Sequence, residues 1–246
     1  MIIAIACLSA IFVAELAGIL VGVYPSLVCH GLIVISLLNV YILKAQAPYR
    51  RILPVLALGS LLRIFSFAMP LQQVPQIYWY AMIGIPFLIA LGLSARLLNQ
   101  SWGQLGLRLD SWSPQLLIAL SGLPLSMIGY FVLRPRPIVA NPTWPDFIVG
   151  IVILGIFVGL TEEIFFRGLL LHIANEVLGR FGLLFSSVLF AVMYIGTLSW
   201  GYVLFIGLIG LFFCWCVNHT GSVWGTAIAH SAISIGMILI WPTVLR

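Results

Sequence analysis

Two adjacent glutamates, Glu162 and Glu163, lie within a predicted apolar span over residues 147–173. An ionisable side chain inside a membrane helix costs roughly 2.5–3.5 kcal/mol, so each glutamate is a functional candidate. Arg167 follows Glu163 by four residues, and residues four apart share a helix face. Glu162 points about 100° away from Glu163, so the two carboxylates need not compete for one partner.

The second glutamate is surplus to a simple ion pair. One glutamate and one arginine would be enough to lock the packing of two helices. Two like charges side by side in a low dielectric disfavour the doubly charged state, which suits a general acid or base. Gly155 and Gly159 continue the face of Glu163 and Arg167, and small residues at this spacing let another helix approach closely. The segment therefore favours a chemical or ion-handling site over a purely structural pair.

Two later predicted helices supply partners for these carboxylates. Tyr194 lies one turn after Phe190, and Ser234 lies one turn after His230. At 1.5 Å per residue from the predicted helix ends, Glu162, Tyr194 and His230 lie about 16, 18 and 12 Å deep. We therefore predict that three helices place polar groups at one level in the membrane.

The composition identifies lipid as the solvent of these helices. Of the 246 residues, 63% are hydrophobic and 7% are charged, against about 25% charged residues in an average soluble domain. This excludes a soluble enzyme, a disordered protein and a nucleic-acid reader. A β-barrel would show short alternating segments instead of long apolar runs. Backbone groups in hydrocarbon need partners within their own segment, so the predicted fold class is an all-α polytopic membrane helix bundle.

A span of about 20 apolar residues crosses a bilayer, and this rule predicts about eight or nine transmembrane helices. They fall near residues 2–23, 27–43, 52–70, 79–97, 114–133, 147–173, 182–198, 202–217 and 222–241. The polar stretch over residues 99–113 is predicted to lie along the membrane surface. It separates an N-terminal transmembrane region, residues 1–98, from a C-terminal core, residues 114–246.

Lysine and arginine at the predicted helix ends indicate the orientation of this multi-pass protein. With a cytoplasmic N-terminus, the inner side holds Lys44, Arg50, Arg51, Arg96, Arg108 and Arg180. The outer side then holds Arg134, Arg136 and Arg246. The bias towards the inner side favours an N-terminus in the cytoplasm.

Three further ionisable residues lie in the N-terminal region, each alone in its predicted helix: Glu15, His30 and Arg63. A charged side chain in hydrocarbon usually pairs with another residue or faces the interior of the bundle. We therefore expect structural pairing here, for instance between Glu15 and Arg63.

Residues 162–168 resemble the first motif of the CAAX-processing and bacteriocin-processing (CPBP) family of intramembrane proteases. That motif is two glutamates, three residues and an arginine, usually followed by glycine, and here its sequence is EEIFFRG. Leu189-Phe190 falls where the family's second motif begins, residues 220–224 fall just before the final helix, and His230 opens the third motif. Residues 105–107 also resemble a recurrent feature upstream of that core. The resemblance covers roughly residues 112–246.

The resemblance implies hydrolysis of a peptide bond inside the membrane. By the family's mechanism Glu162 would activate a water molecule with help from the second motif's histidine, and Arg167 would orient the glutamates. The last helix would contribute His230 and a side chain that stabilises the oxyanion. The family is often labelled a metalloprotease, which leaves a divalent metal open by that label only. The other interpretation is a metal-free mechanism driven by glutamate, and the residues themselves predict no cofactor.

Two motif positions depart from the family pattern. Tyr194 stands where the second motif ends in histidine, and Ser234 stands where the third motif usually ends in asparagine or a similar residue. A phenol is a poor base at neutral pH, and serine is a shorter side chain than asparagine and a weaker oxyanion donor. The full candidate catalytic set is Glu162, Glu163, Arg167, Tyr194, His230 and Ser234.

Three functions follow from these features. The first is an active glutamate-type intramembrane endopeptidase, whose partners are the lipid bilayer and a membrane-embedded or lipidated peptide or protein. The second is a catalytically impaired relative that acts as a scaffold, assembly factor or immunity-type protein for other membrane proteins. The third is a transporter or channel, which is disfavoured because the polar residues gather at one depth and no broken-helix pair occurs in matching halves. Nucleic acid is not an expected partner.

Overall fold

Helices account for 82% of the structure, which is a computed structural model. It describes residues 2–69, 73–109, 111–139 and 142–245, and these ranges contain no strand. The long helical segments are α1 (Ile2–Leu20), α2 (Val23–Leu43), α3 (Ile52–Ala68), α4 (Gln76–Leu97), α5 (Trp112–Leu133), α6 (144–178), α7 (Gly182–Val192), α8 (Trp200–Thr220) and α9 (Trp224–Val244). The predicted all-α polytopic fold class is confirmed.

Seven helical runs in the described ranges are long and apolar enough to cross a membrane. One of them is the 54-residue run Trp144–Thr197, which contains both α6 and α7, while α3 is a shorter apolar helix. The predicted number of eight or nine is higher because it separates α6 from α7 and counts α3 as a full span. The protein is therefore an integral multi-pass membrane protein.

Local capping sets the ends of α6, which extends beyond its predicted range in both directions. Asp146 Oδ2 accepts hydrogen bonds from the Thr143 amide at 2.8 Å and from the Thr143 hydroxyl at 2.6 Å. Pro145 occupies the first turn, where its missing N–H leaves no intrahelical bond unmade. The helix ends at Leu178, because Gly179 adopts a φ of 58°, a left-handed conformation that favours glycine.

The chain divides into two compact units that interleave along the sequence. The first unit comprises Met1–Met69, Phe87–Gln100 and Leu169–Cys214. The second unit comprises Pro70–Pro86, Ser101–Gly168 and Trp215–Arg246. The domain boundaries predicted at 98/99 and 113/114 stay a prediction from the sequence.

A buried polar group connects the first three helices of the first unit. Arg63 on α3 donates two hydrogen bonds to Glu15 on α1, at 2.5 and 2.8 Å. His30 on α2 places its Nε2 atom 3.3 Å from the same carboxylate. Glu15 and His30 are both buried, so the Arg63 guanidinium neutralises a carboxylate that apolar surroundings would otherwise leave uncompensated. The predicted pairing of Glu15 with Arg63 is confirmed.

In the second unit, α9 packs against both α5 and α6. Close backbone approach makes this packing possible: a Cβ on Gly122 of α5 would lie 2.5 Å from the Ala229 carbonyl oxygen. A Cβ on Gly225 would lie 2.7 Å from Gln115 Oε1, and the Gly225 amide donates to that same oxygen at 2.6 Å. The apolar interior of this unit contains Ile77, Ile153, Leu154, Val158 and Leu239.

Removing one partner of the buried Glu15–Arg63 pair should destabilise the protein. Arg63→Ala leaves the Glu15 charge uncompensated, and we expect the free energy of unfolding to fall by about 3 kcal/mol. The double variant Glu15→Gln, Arg63→Ala removes both charges and should recover most of that loss. Denaturant unfolding of the purified variants in detergent measures the effect.

Arg136→Ala, at an exposed position, is the control and should change the free energy of unfolding by less than about 0.5 kcal/mol. If the double variant is as unstable as Arg63→Ala alone, charge compensation is not the reason for the pairing.

Candidate active site

Glu163 is the centre of a buried polar group in the second unit. Its Oε1 atom accepts a hydrogen bond from Arg167 Nη1 at 2.7 Å and lies 2.9 Å from His230 Nδ1. Glu163 is 0% exposed, Arg167 2% and His230 5%. Thr226, one turn before His230 on α9, lies beside the same carboxylate. The structure thus brings residues of the first and third motifs into direct contact.

The Arg167 guanidinium determines how protons are arranged in this group. A guanidinium is always charged in proteins, and its hydrogen bond favours Glu163 as an ionised acceptor. The proton between Glu163 and His230 therefore belongs to His230 Nδ1, since a carboxylate can only accept. In the neutral imidazole this leaves Nε2 as an acceptor, and Nε2 faces Glu162 Oε2 at 3.9 Å.

The two adjacent glutamates have different environments. The Glu162 side chain is 20% exposed, whereas the Glu163 side chain is fully buried. Tyr80 on α4 lies within electrostatic range of Glu162. One carboxylate is therefore held inside a hydrogen-bonded group, and the other is accessible from outside the protein.

Two π-helical stretches flank the glutamates within α6. They span Leu154–Leu160 and Ile164–Leu170, on either side of the regular turn Thr161–Glu163. The Thr161 hydroxyl donates to the carbonyl of Ile156, five residues back, at 2.7 Å. Such wider turns inside α-helices occur frequently at functional sites. The sequence spacing predicts a regular α-helix here, and no residue in the segment signals the wider turns.

The approach of α9 to α6 depends on Gly159. A Cβ at this position would overlap the Ser231 hydroxyl oxygen and lie 2.7 Å from the Ser231 backbone nitrogen. The Ser231 hydroxyl lies 3.2 Å from the Gly155 carbonyl and 2.7 Å from the Ala227 carbonyl. A Cβ on Gly155, by contrast, would meet no atom within 4 Å. The predicted close approach of another helix is therefore confirmed at Gly159. Gly155 contacts α9 only through its carbonyl oxygen, which lies near the Ser231 hydroxyl.

A non-helical segment, residues 105–108, contacts both motif-bearing helical regions, at Gly168 within α6 and at Val223 before α9. A Cβ on Gly168, the last residue of the first motif, would lie 2.6 Å from the Leu105 carbonyl oxygen. The Gly106 carbonyl accepts a hydrogen bond from the Val223 amide at 3.0 Å, immediately before α9. Gly106 has a φ of 71°, which favours glycine. The segment thereby helps to hold the glutamates and the histidine at a set separation.

Tyr194 belongs to the first unit and lies in the turn that follows α7. Its ring contacts those of Phe190 and Tyr202, with centroid distances of 5.2 and 6.0 Å. Because α7 ends before Tyr194, Phe190 and Tyr194 meet through a turn and not along the predicted helix. Ser234 is half-buried on α9, one turn after His230.

The motifs do not indicate two neighbours of the glutamates, Tyr80 and Thr226. Thr226 precedes His230 by four residues, so its place on the same helix face was a usable signal. Tyr80 packs against the apolar interior of the second unit. No spacing in the sequence relates Tyr80 to Glu162.

The donor set in the described residues does not fit a metal ion. No group of three or more histidine, cysteine, aspartate or glutamate side chains there could hold one. Arg167 already takes an oxygen of Glu163, and a guanidinium repels a cation. The chemistry below is therefore derived from protein groups and water.

The fold and the polar group define a class: a multi-pass membrane protein with an ionised glutamate–arginine–histidine group inside its helices. Residues 144–236 match the family model described as Type II CAAX prenyl endopeptidase Rce1-like. The matched range contains every candidate site residue and confirms the predicted resemblance to the CPBP family. Searches of curated proteins and of solved structures gave no match.

Gly159→Ala should weaken the contact between α6 and α9. The added methyl group would occupy the place of the Ser231 hydroxyl, so we expect the free energy of unfolding to fall by about 2 kcal/mol. Gly155→Ala is a matched control on the same helix, with open space around the new Cβ, and should not lower stability by more than about 0.5 kcal/mol. Unfolding of both variants in detergent measures the difference. Equal losses would contradict a specific close approach at Gly159.

Proposed function

We propose that this protein is a glutamate-dependent intramembrane endopeptidase that hydrolyses a peptide bond in a membrane-embedded or lipidated peptide or protein. The observation that carries this proposal is Glu162, an accessible carboxylate beside the buried group of Glu163, Arg167 and His230. The match of residues 144–236 to the Rce1-like family model supports the class of reaction.

The polar group of the first unit provides a comparison within the same chain. Glu15, Arg63 and His30 also place a carboxylate, a guanidinium and an imidazole in contact, but with one carboxylate for one guanidinium. The candidate site has two carboxylates for one guanidinium, and one of them, Glu162, is partly exposed. A structural pair needs no second carboxylate, so the extra one supports a chemical role.

The roles of the residues follow from their contacts. Glu162 accepts a proton from a water molecule that attacks the carbonyl carbon of the peptide bond. Arg167 holds Glu163, and Glu163 holds His230 through Nδ1, so the imidazole keeps one orientation. The oxyanion that develops on the carbonyl oxygen needs hydrogen-bond donors. By resemblance to the family, Ser234 on the last helix is the candidate for that role.

Glu162→Gln removes the base while it keeps the shape of the side chain. We expect cleavage to fall by about 10²–10⁴-fold without a loss of folding. Glu176→Gln is the matched control, since it makes the same change on the same helix at a glutamate paired with Arg51. The purified wild type and both variants are incubated in nanodiscs with a mixed library of membrane-embedded and lipidated peptides. Mass spectrometry then identifies the products.

Cleavage by the wild type and by Glu176→Gln, but not by Glu162→Gln, would support the proposal. If none of the three folded proteins cleaves any peptide, the proposal is wrong and the catalytically impaired relative becomes the better interpretation. A parallel reaction with a chelator tests for a metal, and the donor set leads us to expect unchanged cleavage.

We also propose that the N-terminus is cytoplasmic, because lysine and arginine at the helix ends favour that orientation. A pair of variants tests it: Arg180→Cys lies between α6 and α7, and Arg136→Cys follows α5. A maleimide that cannot cross membranes should label Arg136→Cys in intact cells and Arg180→Cys only after permeabilisation. The reverse labelling pattern would invert the proposed topology.

A further inference from the structure

Hydrolysis of a peptide bond needs a group that takes a proton from water and later gives one to the leaving amine. In the family's mechanism a histidine of the second motif assists the glutamate, but this chain has Tyr194 there, and a phenol is a poor base at neutral pH. His230 is in contact with Glu163 and faces Glu162. Its Nε2 atom is the basic position that remains after Nδ1 donates to Glu163.

The charges of the group show how many protons it holds. Glu162, Glu163 and Arg167 sum to a charge of −1 when the imidazole is neutral. A net charge in an apolar interior is unfavourable, and one additional proton makes the group neutral. Arg167 and Nδ1 of His230 both donate to Glu163 and so favour its ionised form. The additional proton is therefore assigned to Glu162 or to His230, whose Nε2 atom lies 3.9 Å from Glu162 Oε2.

We propose that Glu162 and His230 share one proton and act as a single acid–base pair, with His230 in place of the missing second-motif histidine. This inference rests on the proposed function for its kinetic part. Two other titratable groups lie near these residues and leave the charge count unchanged. The Tyr80 phenol is within electrostatic range of Glu162, and the Cys216 thiol is within range of Glu163. Phenols and thiols are ordinarily neutral at neutral pH.

Hydrolysis of the peptide bond proceeds in two steps. One lone pair of the water oxygen forms the bond to the carbonyl carbon, the C=O π electrons move onto the carbonyl oxygen, and one water proton passes to the Glu162–His230 pair. When the oxyanion collapses, the carbon–nitrogen bond breaks and its electron pair stays on nitrogen. The pair gives its proton to that nitrogen, which leaves as an amine, and the other product is a carboxylic acid.

The kinetic test compares Glu162→Gln, His230→Gln and the double variant on a peptide that the wild type cleaves. Glutamine keeps a hydrogen-bonding amide near the position of Nε2 but cannot exchange a proton at neutral pH. We expect each single variant to lose about 10²–10⁴-fold in kcat, and the double variant to lie within about threefold of the worse single variant, because groups that act as a unit are not additive. Near-normal turnover by His230→Gln, or multiplied losses in the double variant, would overturn the proposal.

A spectroscopic test needs no substrate. The full chain, labelled with ¹⁵N at its four histidines, is studied in nanodiscs by NMR at neutral pH. If the proton is shared, the ¹⁵N chemical shift of His230 Nε2 shows a bound proton for part of the time in the wild type. In Glu162→Gln the same nitrogen should give the shift of an unprotonated imidazole nitrogen, because the charges of Glu163 and Arg167 already balance. Glu176→Gln is the control, since Glu176 lies beside His172, and it should leave the His230 shifts unchanged.

The two tests separate the two proposals. Unchanged His230 ¹⁵N shifts in Glu162→Gln overturn proton sharing even if the wild type cleaves peptides. A change in those shifts without any cleavage supports the shared proton and overturns the endopeptidase. Thermal unfolding of each variant shows whether a negative result comes from misfolding.

Discussion

The burial of the Glu163 charge is the constraint on which the candidate site depends. An ionised carboxylate in an apolar interior is stable only with a partner that supplies opposite charge and good hydrogen bonds. Arg167 supplies both from the next turn of the same helix region, and it is itself buried. His230 can join the group only because α9 comes close to α6 where Gly159 has no side chain. The position of the imidazole is therefore a consequence of how one carboxylate is neutralised.

Much of this arrangement follows from residue types and spacing. Four-residue spacing predicts the contact between Glu163 and Arg167, and the cost of an isolated charge predicts the pairing of Glu15 with Arg63. The fold class follows from composition alone. These predictions need only the helical repeat, the free-energy cost of a charge in hydrocarbon, or the composition. A single sequence supplies all three.

Other features depend on packing that uniformly apolar helices do not encode. The π-helical turns around Glu162 change the direction of side chains, while a count of residues assumes a regular helix. The contact of residues 105–108 with Gly168 and Val223 joins backbone atoms distant in sequence. The proximity of Tyr80 to Glu162 depends on how α4 packs in the second unit. Long apolar segments favour many helix pairings about equally, so only the folded structure selects among them.

The departure at Tyr194 does not by itself imply a lost activity. A hydrolytic site needs a basic atom beside the accessible carboxylate. The location of that atom matters more than which motif supplies the residue that carries it. Glu163 presents His230 Nε2 to Glu162 in this chain, in the way that a buried carboxylate orients the histidine of a catalytic triad. Glu15, Arg63 and His30 place the same three residue types in contact without a second carboxylate. The candidate site differs from that group by a second carboxylate, Glu162, whose side chain is partly exposed.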